Sequence, residues 1–390
     1  MQILQHFTKT VQSNMAENDR ERILYNVLSG VTKFLSKATP QNQTFIGNGS
    51  NQFINLLVNW LKSLLSEKEG DLRRGAAKCI SYLCRVKGIE MTQQIVQNIS
   101  QTLKTSTDPN LLSGCCCVIG SLHRIIGMKT GGLGSLISLI TRLGVNQSSN
   151  NSIVLQLWIL DALWKVIEAF GPSFSTHALP TIKIIHQIFT SSYNAFVPLY
   201  RSIGRIVNAT ISAVGPELKT NSVIFNLCSA ISQQFRRNEH SLVQLSAIQF
   251  YQMLILFASN TVKADEVITF VRPNLNSRYT SLRKQSLVCL RQLLQMNNSP
   301  FFGLDLEVEL FKLLDNTQNK DIQNEAKKLI SSLIEMYAPK NPSRIIDICK
   351  EIFNTKDRPK KNKGGKKKKS NSYFIFIYFS NFCLKKVWEI

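Results

Sequence analysis

"LRRGAAKCISYL", residues 72–83, carries the pattern that decides the fold. Its residues Ala76, Ile80 and Leu83 are spaced four and then three apart, which puts them on one face of an α-helix. The same spacing returns at Cys115, Ile119 and Leu122, at Ile159, Leu163 and Val166, and at Ile203, Val207 and Thr210. It continues at Ala247, Tyr251 and Leu254, at Ser286, Leu290 and Leu293, and at Ala326, Ile330 and Leu333. Only Thr210 is clearly off the pattern. Successive first members are 39, 44, 44, 44, 39 and 40 residues apart.

A period of about 40 to 47 residues is that of HEAT-type repeats, each a pair of helices. The marked segments then read as the second helix of each pair. Apolar segments ahead of them supply the first helices, over 51–66, 89–104, 133–143, 179–191, 221–235, 264–275 and 305–315. A lone pair cannot bury its apolar face, so neighbours must stack into one continuous core. The expected fold is all-α: an α-solenoid of antiparallel helix pairs, about seven repeats. Residues 1–50 read as an N-terminal helix and polar linker, 51–355 as the solenoid, and 356–390 as a basic tail with an aromatic-rich end.

The net charge of +22 is concentrated at that end. Residues 356–390 carry +9 of it, leaving +13 on residues 1–355. The lysine run from Lys356 to Lys369 has three readings: a nucleic-acid or nuclear-import tail, a polybasic membrane-surface patch, or a solvated linker. The aromatic stretch that follows fits neither the repeat nor a terminal cap, and part or all of 359–390 reads as foreign to the native coding sequence. The opening residues lack the apolar core of a secretory signal. No stretch reaches the roughly 18 apolar residues of a membrane span. The nine cysteines have no disulfide-type spacing and read as reduced thiols in a cytosolic protein.

Several motifs suggest chemistry. "LLSGCCCVIGSLHR" (111–124) has three consecutive cysteines, a histidine and an arginine. Consecutive helical residues point about 100° apart, so Cys115, Cys116 and Cys117 cannot converge on one metal. They read as a packed wall, with the basic pair His123 and Arg124 suited to the helix's C-terminal dipole. "GMKTGGLG" (127–134) lacks the P-loop spacing and follows a helix, so it reads as a connection. The Gly-Pro pairs in "FGPSF" (170–174) and "VGPEL" (214–218) read as helix stops. Trp158 and Trp164 read as core rather than peptide-binding residues. His177, His186 and His240 stand alone. No residue is assigned a catalytic, cofactor-binding or metal-binding role, and no cofactor is implied.

Six passages in order resemble the HEAT repeat-containing protein 5 family. They are "GSLHRIIGMKTGGLGSLISLI" (120–140), "LWILDALWKVIEAFGPSF" (157–174), "LYRSIGRIVNATISAVGPELKTN" (199–221), "HSLVQLSAIQFYQMLILFAS" (240–259), "LRKQSLVCLRQLLQ" (282–295) and "NPSRIIDICKEIF" (341–353). Members of that family are several times longer, so the resemblance implies an internal section. It implies a non-enzymatic scaffold accessory to the AP-1 clathrin adaptor, with adaptor subunits and aftiphilin-like proteins as partners. It further implies transport between endosomes and the trans-Golgi network, and a cytoplasmic location peripheral to those membranes. The +13 body favours acidic partner segments or anionic membrane surfaces.

A basic solenoid that binds nucleic acid is the alternative. It needs cations repeated along one face. The position two after each third member reads Arg85, Arg124, Glu168, Ser212, Leu256, Gln295 and Glu335, which is no ladder of positive charge.

Overall fold

The computed structural model describes residues 16–37, 51–127, 131–144, 150–191, 197–296 and 306–337, with 343 and 347. The expectations for the tail fall outside these residues. Among the described residues, one helix, α1 (Glu17–Lys37), precedes seven pairs. The first four are α2 (Asn51–Ser63) with α3 (Gly70–Lys87), α4 (Ile89–Thr105) with α5 (Pro109–Ile126), α6 (Leu133–Gly144) with α7 (Asn150–Phe170), and α8 (Ser175–Ser191) with α9 (Val197–Val214). Then come α10 (Ser222–Arg237) with α11 (Ser241–Phe257), α12 (Ala264–Val271) with α13 (Thr280–Leu294), and α14 (Leu306–Asn316) with α15 (Lys320–Tyr337). No strand occurs among the described residues. The fold is an all-α solenoid of HEAT-type pairs.

The chain forms two compact units that divide after Val214, with Asn226–Cys228 belonging to the first. In the first unit α1 and the second helices of the pairs pack side by side in sequence order: α1 on α3, α3 on α5, α5 on α7 and α7 on α9. In the second, α11 packs on α13 and α13 on α15. Every residue of the seven triples is buried, including Thr210 at 0% exposure. Its hydroxyl has no hydrogen-bond partner among the described residues.

Small residues set how closely these helices approach. In α5, a Cβ on Gly114 would overlap the carbonyl oxygen of Leu65, and one on Gly120 would stand 3.1 Å from the Ala162 α-carbon of α7. Cysteine and glycine along α5 thus form a thin slab between its neighbours. Burial of each Leu or Ile in the triples contributes about 2 kcal/mol.

The helix expected within 1–50 takes part in the same stack. Leu28, Thr32 and Leu35 of α1 repeat the four-then-three spacing, 48 residues before Ala76. Gly75 sits against Leu28, and Thr32 shares a 3.1 Å hydrogen bond with the Cys79 thiol. Arg85 of α3 donates to the carbonyls of Leu35 and Ser36, which satisfies acceptors at the end of α1. Arg142 of α6 does the same for Leu103 and Lys104 at the end of α4.

Helix boundaries follow the predicted ones closely except at α8. It begins at Ser175 rather than 179, because a 3-10 turn, Gly171–Phe174, runs directly into it. Pro180 lies on the exposed side and removes only the bond that its N–H would make to residue 176. Both Gly-Pro pairs end a helix. Gly171 and Gly215 adopt φ +53° and +57°, and each turn buries the following apolar residue, Phe174 or Leu218.

Candidate functional site

The three cysteines at 115–117 are buried on different sides of α5, at 2%, 0% and 6% exposure. Burial pushes the Cys115 and Cys117 thiols up to about 12 and raises Cys116 well above the usual thiol value. They are protonated packing groups at neutral pH, far from the low-pKa, electropositive setting of a reactive thiol.

His123 departs from the expected role at the helix end. It is 1% exposed, its Nδ1–H donates to the Ile119 carbonyl at 2.9 Å, and its ring stacks on Phe170 of α7 at 5.7 Å. Desolvation lowers its pKa, so the ring is neutral at pH 7 and joins two repeats as an aromatic. Only Arg124 of the pair is exposed.

The tryptophans also depart from expectation. Trp158 and Trp164 are half-buried, and they line a groove of about 550 Å³ on the first unit. Its floor is one face of α7, made by Val154, Leu157, Trp158, Asp161, Trp164 and Lys165. These positions recur at three and four residues, the helical repeat that puts them in line. Arg74 of α3 and Arg124 of α5 form one bank, and Arg201 and Arg205 of α9 form the other.

Arginines already cover both indole rings. The Arg74 guanidinium carbon lies 4.4 Å from the Trp158 ring centroid, that of Arg73 lies 5.2 Å away, and Arg205 stands 4.9 Å from Trp164. Such contacts hold a guanidinium in place while leaving its N–H edge able to donate. Arg73 is the buried anchor, with 5% exposure and hydrogen bonds to the carbonyls of Glu67 and Lys68 and to Asn110. Burial lowers its pKa, yet a guanidinium keeps its charge in a protein. A Cβ on Gly70 would stand 2.9 Å from the Trp158 ring, so the indole wedges against the start of α3.

Charge in the groove is only partly balanced. Asp161 pairs with Lys165 at 2.6 Å and stands 3.9 Å from Arg205, while Arg74 pairs with Asp71 at 2.6 Å. Arg124 and Arg201 are exposed and have no acidic partner among the described residues.

The cations escape a search at one register because they occupy several. Arg74 and Arg201 lie two before the first member of their triples, Arg205 two after it, and Arg124 nine after it. The recurrence of arginine at the first of these positions is the available signal. The passage "GSLHR" gains a physical meaning at each conspicuous position: Gly120 permits close packing on Ala162, Leu122 is core, His123 stacks on Phe170, and Arg124 reaches the groove.

Among the described residues no group of His, Cys, Asp and Glu is placed to hold a metal ion, and no helix is long and apolar enough to cross a membrane. No family model matches the chain. It is similar to Protein SWEETIE of Arabidopsis thaliana, 25% identical over 361 residues, an alignment covering 90% of this chain and 16% of that protein. The chain therefore spans only a small part of that relative's length. Among solved structures, the crystal structure of an engineered protein aligns with a TM-score of 0.46 at 13% identity, covering 83% of this chain and 87% of the other.

Proposed function

We propose that this chain is a non-enzymatic docking scaffold in vesicle trafficking, accessory to the AP-1 clathrin adaptor. On this reading it binds adaptor subunits and aftiphilin-like proteins, in the cytoplasm at endosomal and trans-Golgi membranes. The observation that carries the docking role is the groove on α7. Its side chains are suited to recognition, namely indoles, guanidiniums and one shared carboxylate, and they are spread over α3, α5, α7 and α9. The seven cysteines among the described residues are buried, and burial raises the pKa of each, so they are protonated at neutral pH. The trafficking assignment rests on the collinear passages that resemble the HEAT repeat-containing protein 5 family.

Nucleic-acid binding is the second reading, favoured by the cations around the groove. Against it, the indole faces on which bases would stack are occupied by Arg73, Arg74 and Arg205. The test is affinity purification of the tagged full chain from extracts with and without nuclease, followed by protein identification. Recovery of adaptor subunits after nuclease treatment is the expected result. Their absence, with nucleic acid retained in a steeply salt-dependent manner, would replace the scaffold reading with the second one.

A further inference from the structure

We infer that the α7 groove is a binding site for an extended acidic peptide segment of a protein partner. This rests on the docking reading above and specifies the chemistry of one surface. Charge complementarity chooses the occupant. Five cations line the groove against the single carboxylate of Asp161, and Arg124 and Arg201 project from opposite banks without acidic partners among the described residues. An anionic ligand lying along α7 meets a guanidinium on each side.

The apolar floor distinguishes a peptide from a bare anion. Val154 is 54% exposed, and with Leu157 it forms an apolar patch between the arginines. A peptide with carboxylates flanking one apolar residue fills both kinds of surface. A lone phosphate leaves the apolar patch wet. Nucleic acid would meet the cations, but its bases would find the indole faces already covered. The arginines are also held in advance: Arg74 and Arg205 lie against indoles, so less side-chain freedom is lost on binding. Carboxylates offer the bidentate acceptor geometry that a guanidinium matches.

The test uses the full chain and three fluorescent probes in anisotropy titrations: a twelve-residue Asp/Glu-rich peptide with one central Phe, the same peptide with Phe replaced by Ser, and a twelve-nucleotide oligothymidylate. The double variant Arg124→Glu/Arg201→Glu is compared with Lys78→Glu/Lys183→Glu, an equal charge change at exposed positions outside the groove lining. Thermal melts verify that both fold. The Phe peptide is expected to bind saturably, to weaken by about tenfold or more in the groove variant, and to change by less than about twofold in the control. The Ser peptide is expected to bind more weakly than the Phe peptide.

Equal losses in both variants would overturn the inference, since they would mark diffuse attraction to a basic surface. So would tighter binding of the oligonucleotide than of the peptide, abolished by the groove variant, which would reassign the surface to nucleic acid. Failure here is separable from failure of the trafficking reading. Absent peptide binding with adaptor subunits still recovered removes the groove's role alone, whereas groove-dependent peptide binding without adaptor recovery supports this inference and removes the adaptor assignment.

Discussion

Gly114 of α5 lies directly against the carbonyl oxygen of Leu65, with no room for a Cβ between them. The contact joins two successive repeats backbone to backbone, so neither partner can yield by rotating a side chain. Gly114→Ala is expected to destabilise the protein by about 2–3 kcal/mol, an overpacking penalty, read as a lower urea midpoint in equilibrium unfolding. A change under about 0.5 kcal/mol would mean that the repeats are not pressed together there.

Gly171 makes a different demand. A Cβ would meet nothing within 4 Å, yet the residue holds φ +53° at the end of α7. Gly171→Ala is expected to cost about 1 kcal/mol from backbone conformation alone. A circular dichroism melt should record it as a modest drop, smaller than that of Gly114→Ala.

Thr210 is the β-branched one of the two hydroxyl residues in the triples, the other being Ser286, and its hydroxyl is buried without a partner among the described residues. Thr210→Val keeps the shape and removes the unsatisfied group. The expected outcome is stabilisation of up to about 1 kcal/mol at an unchanged denaturant m-value. Destabilisation would show that the hydroxyl bonds to an ordered water.

Acid should weaken the contact between His123 and Phe170. The folded pKa of His123 lies below its unfolded value near 6.5, so the unfolded chain takes up a proton that the folded chain refuses. Nothing is lost above about pH 6.5, and stability falls as pH drops from there toward the folded value. His123→Phe should flatten that part of the stability profile between pH 7 and 5, and an unchanged slope would exclude the histidine as its source.

Alkali should act through the thiols. Cys84 is pushed up to about 11 and Cys115, Cys117, Cys228 and Cys289 to about 12. Unfolded thiols lose their protons near 8.5, so stability is full below that pH and declines as pH rises toward the folded values. Iodoacetamide at pH 8 should spare the seven buried cysteines of the native protein and label all of them in urea, as read by mass spectrometry. Labelling of any one without denaturant would show a local opening of its helix.

The solenoid was legible because burial in a helix pair is a local property, written at three and four residues along one segment. The groove was not. Residues 153–170, "IVLQLWILDALWKVIEAF", are apolar around most of the helix, so periodicity alone cannot say which face α5 and α9 cover. The tryptophans are therefore indistinguishable from core residues until the neighbours are in place. His123 was misread for a related reason: its partner Phe170 is 47 residues away, on the next second helix. The arginines of the banks come from three helices, and no window on a single segment contains them.

Within the seven triples the four-then-three spacing never varies, whereas the distance from one triple to the next ranges from 39 to 44 residues. Length is free between helices and fixed inside them. A residue inserted into α7 between Trp158 and Trp164 would turn everything after it by about 100°, carrying Trp164 and Lys165 off the groove and Val166 out of the core. The same insertion between α7 and α8 would leave every phase intact. Insertions and deletions that survive in this chain should therefore collect in the connections, while the tryptophan-bearing face drifts only by substitution.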